Sequence, residues 1–248
     1  MPAEFSAIAD RTQRWVVLAL AVGQVVSAAA VFTTSNTLRT NTADATITPP
    51  GYAFSIWLIP IVGCLAYSIQ NLRANRASGQ QYRAIGWPLA GTMAGFSVWL
   101  WLAERNWVWA TAVVFAVMLA FLCRAIVPLR SMPASVAGWV PYVTIGVYAG
   151  WSIVAIWANL AAAIRHSGQV HNATGWQLAI LIGATVSSCI GITLSRAQWA
   201  YVAATVWAFA AVIVSTADRH APALAATAAA GLLLTVAATA VVRRSGVR

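Results

Sequence analysis

The sequence predicts an all-α fold, a polytopic bundle of about eight transmembrane helices forming one domain over residues 1–248, with both termini cytoplasmic. Three observations lead there. The chain is 60% hydrophobic and 8% charged, where a soluble domain carries roughly 25% charged residues. Its apolar runs are long enough to span a bilayer and lack the alternation of barrel strands, so their backbone groups must pair within helices. The basic residues are all arginine, 15 of them, and they concentrate at alternate ends of the runs.

The first run, 15–34, follows Arg11 and Arg14 and contains Ser27-Ala28-Ala29-Ala30. That pattern also fits a secretory signal with a small-residue cleavage site. The stretch is long for that purpose, and we read it as a retained extra N-terminal span. A threonine- and asparagine-rich outer segment, 35–50, ends at Pro49-Pro50-Gly51. The prolines fall at or just before a helix start, where a missing N–H has no intrahelical acceptor to lose. The second run, 52–70, opens with Tyr52, Phe54 and Trp57. Runs 85–103 and 107–127 form a hairpin around WLWLAERNWVW, with four tryptophans from Trp99 to Trp109. The fifth run, 138–163, places Thr144, Tyr148, Trp151, Ala155 and Asn159 along one helical stripe. Runs at 176–194, 199–217 and 221–242 complete the chain.

Orientation follows from the arginines. With the N-terminus inside, Arg11, Arg14, Arg73, Arg76, Arg83, Arg124, Arg130, Arg196, Arg243, Arg244 and Arg248 lie on the inner side. Arg39, Arg105, Arg165 and Arg219 lie on the outer side, and eleven against four is a strong positive-inside bias. Scattered in this way, with no basic stripe, the net charge of +10 marks topology and contact with anionic head groups, and it excludes nucleic acid as a partner.

The spans lack the usual marks of ion-coupled transport and acid–base catalysis. Glu4, Asp10, Asp44, Glu104 and Asp218 all sit at span ends or in loops, which argues against a carboxylate-driven symporter, a pump or a mid-membrane general acid. An enzymatic role is therefore the lesser expectation, and no cofactor is required. His166, His171 and His220 fall in outer loops as solvated side chains, and Cys64, Cys123 and Cys189 show no metal-ligand or disulfide spacing, so no metal site is expected.

Polar and aromatic features carry what signal remains. Asn159, the most polar group of its stripe, should face the bundle, as a packing seam or as a ligand-facing wall. Small residues recur at four-residue spacing in Gly91/Gly95, Gly146/Gly150 and Gly183/Ser187/Gly191. Packing within one chain is the preferred reading of that spacing, with a homodimer the alternative. The chain holds 13 tryptophans, and a belt at the membrane interfaces accounts for those near run ends, but not for Trp151 and Trp207 deep in their runs. Aromatic walls with few polar groups also suit a flat apolar ligand that stacks.

The tryptophan richness together with PPGYAFSIW resembles the translocator-protein family (TspO/MBR), also called tryptophan-rich sensory proteins. Pro49, Pro50, Phe54 and Trp57 match that family's Pro-Pro, Phe, Trp signature in kind, with Trp57 one residue sooner than in its five-helix members. Pro60 stands where a tyrosine is expected, and Gly63 serves as the motif's glycine. Trp151, Ala155 and Asn159 meet a second motif, Trp-x3-Ala-x3-Asn; in a third, Trp99 is present and Phe96 replaces the asparagine. The resemblance covers about 48–163, and the chain looks like a long, eight-span branch.

The resemblance implies binding of tetrapyrroles or other hydrophobic ligands, and a part in their transport, their light-dependent breakdown, or sensing. The expected function is thus a membrane receptor or sensor for a flat hydrophobic small molecule such as a porphyrin, with an uncoupled transporter of a small apolar metabolite as the alternative. Phe54, Trp57, Trp99, Tyr148, Trp151 and Asn159 are the expected ligand-binding residues. The absence of lysine and the alanine richness suggest a bacterial inner membrane as its location.

Overall fold

A computed structural model of the chain describes residues 2–34, 44–73, 76–130, 136–168 and 173–246. Arg39, His171 and Arg248 lie outside them. The elements are α1 (Pro2–Thr34), a 3-10 helix (Gly51–Trp57), α2 (Leu58–Arg73), α3 (Arg76–Glu104), α4 (Val108–Leu129), α5 (Val136–His166), α6 (Thr174–Leu194), α7 (Trp199–Asp218) and α8 (Pro222–Arg244). No strand occurs among the described residues. Among the described residues, seven segments are long and apolar enough to cross a membrane, including the 3-10 helix with α2 as one span. The exception is α3, which has the length at 29 residues but is diluted by glycines and tryptophans.

The helices close into two rings that share α5. In the first ring α1 packs on α3, α3 on α4, α4 on α5, α5 on α2, and α2 back on α1. In the second, α5 packs on α7, α7 on α8, α8 on α6, and α6 back on α5. The apolar span within α5 is the most buried of the seven, as a helix shared by two rings must be.

Close approach is what lets α5 serve both rings. A Cβ built on Gly150 would collide with the carbonyl oxygen of Tyr201 on α7, and one on Gly63 of α2 with the Thr144 side chain of α5. The other glycines of the four-residue pattern behave alike: Gly91 and Gly95 lie against Phe121 and Met118, Gly146 against Ala200, Gly183 against Trp157, and Gly191 against Tyr201. They are spent on packing within the chain, and the spacing itself gives no support to a homodimer.

The second span opens differently from the expected α-helix at 52. A continuous α-helix would require an N–H at Pro60 to reach residue 56, and the ring would crowd that carbonyl. The chain instead runs through a 3-10 turn with Pro50 extended at its N-cap (φ −64°, ψ 152°). The α-helix then starts at Leu58, which places Pro60 in the first turn, where donors have no intrahelical partner anyway.

The described part of the outer segment, from Asp44 onward, is not a loose loop. Ala45 and Ile47 are buried among Ala161, Ile180, Leu181, Val212, Leu224 and Ala228, so they plug one end of the second ring. Arg219 donates to the carbonyls of Asp44 (3.1 Å) and Ala45 (2.9 Å), Ser215 Oγ to that of Thr48 (2.7 Å), and the Ile47 N–H to Gln177 Oε1 (3.2 Å). The opposite end gathers the arginine-rich connections. There Arg83 pairs with Asp10, Gln13 donates to the Arg83 carbonyl (3.0 Å) and Arg14 to that of Leu72 (3.3 Å).

Gly150→Ala forces α5 away from α7 and should cost about 1–3 kcal/mol. A lowered thermal unfolding midpoint in detergent checks it. Gly23→Ala, where a Cβ meets nothing within 4 Å, should leave the midpoint unchanged or raise it slightly.

Candidate functional site

Trp57 is the hub of an aromatic cluster inside the five-helix ring. Its ring centroid lies 4.9 Å from Phe96, 5.4 Å from Tyr148, 5.9 Å from Trp99, 6.1 Å from Trp151 and 6.3 Å from Phe115. Phe54 adds an edge contact to Trp151 at 5.6 Å. Trp57 and Trp151 are each 1% exposed, and Phe96, Phe115 and Tyr148 are fully buried.

Local backbone explains why both Phe54 and Trp57 reach Trp151. In a 3-10 helix residues three apart eclipse, so the two rings project from one side. The shorter Phe-to-Trp spacing noted in the sequence therefore agrees with a 3-10 entry to the span. That entry is held from the second ring, where Trp207 Nε1 donates to the Ala53 carbonyl (3.2 Å) and Tyr52 packs edge-on against Trp207.

The polar groups of the cluster divide into satisfied and orphaned. Trp99 Nε1 donates to Asn159 Oδ1 (2.9 Å), and Asn159 Nδ2 donates to the Ala155 carbonyl (2.9 Å). Asn159, half-buried, is thus a clamp on Trp99. Tyr148 takes a hydrogen bond on its hydroxyl from Gln24 Nε2 (3.1 Å). By contrast, Trp57 Nε1, Trp151 Nε1 and Gln24 Oε1 are buried without any hydrogen-bond partner. Such an orphan costs about 1–3 kcal/mol of desolvation.

All six expected residues, Phe54, Trp57, Trp99, Tyr148, Trp151 and Asn159, are therefore brought together, and Phe96 and Phe115 join them. Sequence reasoning overlooked Gln24. The available signal was one amide within the apolar run of α1, which hydrocarbon would penalise unless it faced the bundle. The other tryptophans of the hairpin do not contribute: Trp101, Trp107 and Trp109 are 43–61% exposed, as an interfacial belt requires. Trp207, expected to be deep, is 40% exposed; it lies mid-span but turns outward along the 3-10 helix.

As arranged, the cluster is packed rather than open. Centroid separations of 4.9–6.3 Å in tilted and edge-on geometry are contact distances, leaving no gap for another ring. Among the cavities that described residues line, those of about 520 and 460 Å³ lie elsewhere and involve none of the six residues. Binding between the rings requires them to part.

A bundle of apolar helices around an aromatic cluster that contains no charged side chain defines a multi-pass integral membrane protein. The family comparison narrows this. The model of the TSPO-like protein family matches residues 12–241, and the chain belongs to that family. The match takes in α1 and α6–α8 as well as the stretch 48–163 that carries the motifs. No curated protein and no solved structure gave a match.

Trp99→Phe removes the donor to Asn159 while keeping an aromatic ring. The cost should be about 1 kcal/mol. A double-mutant cycle with Asn159→Ala should return a coupling of about 0.6–1.7 kcal/mol, read from thermal or denaturant unfolding in detergent.

Proposed function

We propose that this protein is a membrane receptor or sensor that takes a flat hydrophobic ligand, of which a porphyrin is the best-fitting class, into the aromatic cluster of the five-helix ring. The observation that carries the reading is the pair of orphaned indole N–H groups of Trp57 and Trp151 on either side of one ring contact. An entering π-system with acceptor atoms replaces aromatic contacts with aromatic contacts and gives both donors a partner. Family membership supports the same class of ligand through the resemblance. Phe54, Trp57, Trp99, Tyr148 and Trp151 supply the stacking surface, and Asn159 sets the pose of Trp99. The arginine-rich end faces the cytoplasm of a bacterial inner membrane in this reading.

A second reading, uncoupled transport of a small apolar metabolite, draws on a separate observation. The buried polar residues described are all Gln, Asn, Ser and Thr, with no charged or histidine side chain among them. Such an interior lacks the carboxylates and histidines that carry proton coupling, and flux through it would follow the substrate gradient alone. Saturable uptake into proteoliposomes, insensitive to pH and sodium gradients, distinguishes transport from reception.

Titration of protoporphyrin IX, followed by its Soret band, tests the binding site. Trp57→Phe and Trp151→Phe keep the rings and remove the donors. Each should weaken binding by about three- to tenfold, and the double variant more. Equal affinity in wild type and double variant would place the ligand elsewhere.

A further inference from the structure

We propose that the cavity at the arginine-rich end is a binding site for the head group of an anionic phospholipid. The site is separate from the aromatic cluster and independent of its ligand. The cavity, about 520 Å³, is lined by Arg130, Arg196 and Arg243 together with Trp139, Tyr142 and Trp199. That volume lies within the usual range for small-molecule sites. Three cations meet there with no carboxylate among the lining residues, and the sole charged partner that satisfies three guanidinium forks is a multi-oxygen anion.

Two of the arginines are fixed in place by the protein. Arg130 donates to the Leu194 carbonyl, and Arg243 to that of Ala197 (3.2 Å). Each retains further N–H donors beyond that bond. Arg196 is exposed, and its guanidinium is bound to no carbonyl among the described residues. Tyr142 accepts the Trp199 N–H on its hydroxyl (3.3 Å), which leaves its phenolic proton for an acceptor in the cavity.

The backbone under Arg196 is the second, independent sign. Helix α6 ends with the Arg196 N–H on the Thr193 carbonyl (3.2 Å) and the Ala197 N–H on that of Ile192 (2.8 Å). This C-cap arrangement calls for glycine in the left-handed residue. The same bonding ends α3 at Asn106 (φ 56°) and α7 at His220 (φ 53°), both residue types that tolerate this region. Here an arginine occupies it at φ 53°, and Ala197 follows at 52°. Strain of this kind, kept where glycine would relieve it, concentrates at sites where the side chain is needed.

The setting selects a lipid. Trp139 and Trp199 are 54% and 43% exposed, and their ring centroids lie 5.7 Å apart, an aromatic platform at the level where Trp anchors to the interface. The exposed Leu194 and Val241 beside it offer apolar surface for acyl chains. A zwitterionic head group would bring its ammonium into the same three-arginine field, so a net-negative glycerophospholipid is the occupant.

Native mass spectrometry of the full chain in detergent, titrated with phosphatidylglycerol or phosphatidylcholine, tests this. Phosphatidylglycerol should be retained in clear preference. Arg196→Gln should weaken its retention about fivefold, whereas Arg244→Gln, at the same end but outside the cavity, should not. Arg196→Gly should lose the same affinity while raising the thermal midpoint in lipid-free detergent, a combination that a purely structural arginine does not produce. Equal retention of the two lipids, or unchanged retention in both Arg196 variants, overturns the proposal. Displacement of the lipid by an equal concentration of glycerol 3-phosphate overturns the lipid assignment in favour of a soluble phosphate.

Discussion

The close approach of α5 to its neighbours on both sides is the constraint on which the rest of the bundle depends. A helix common to two rings keeps little lipid-facing surface, so most of its length must find protein. Gly150 lets the α7 backbone approach that of α5, while on the opposite flank Gly63 of α2 admits the Thr144 side chain against its own backbone. In lipid, where no hydrophobic effect draws helices together, such contact supplies the dispersion that holds them. Tyr148 and Trp151 are carried on the same helix, so the packing that closes the rings also fixes the aromatic cluster.

Much of this was legible in the sequence, and the reason is the bilayer. Hydrocarbon leaves the chain few options, so run length and arginine placement determine the helices almost element by element. The stripe from Thr144 to Asn159 reads correctly because helical periodicity is rigid. The 3-10 entry at Gly51–Trp57 was not read, although Pro60 held the clue, because helix type at a span end depends on a single absent N–H. The plug formed by Ala45 and Ile47 was invisible for a different reason. Its partners Gln177, Ser215 and Arg219 lie some 130–175 residues away, and nothing local encodes a loop inserting into a ring that has yet to be made.

Tryptophan shows the same limit at the level of single residues. Sequence places Trp99 and Trp101 two apart on one helix, equally rich in aromatic neighbours. In the bundle one donates to Asn159 and is buried, and the other is 43% exposed. Two residues on a helix are separated by about 200°, so one of the pair must turn away from the ring. Composition counts tryptophans; only the facing of α3 assigns them. Trp207 repeats the lesson, since depth along the span and burial in the protein are different coordinates.

The 3-10 helix ties the two rings to one another. Its inner side gives Trp57 to the aromatic cluster, its outer side receives the Trp207 N–H on Ala53, and its N-terminal lead-in at Thr48 is held by Ser215. A ring that parts to admit a ligand must move Trp57, the side chain in contact with five others. Each aromatic contact is worth about 0.5–1.5 kcal/mol, so the cluster does not open by loosening one ring at a time, and backbone displacement of the seven-residue 3-10 segment is the economical route. Such a displacement pulls directly on Trp207 and Ser215 of α7. Under the proposed function, a ligand in the first ring and the position of α7 in the second are linked through these two hydrogen bonds, as a receptor requires.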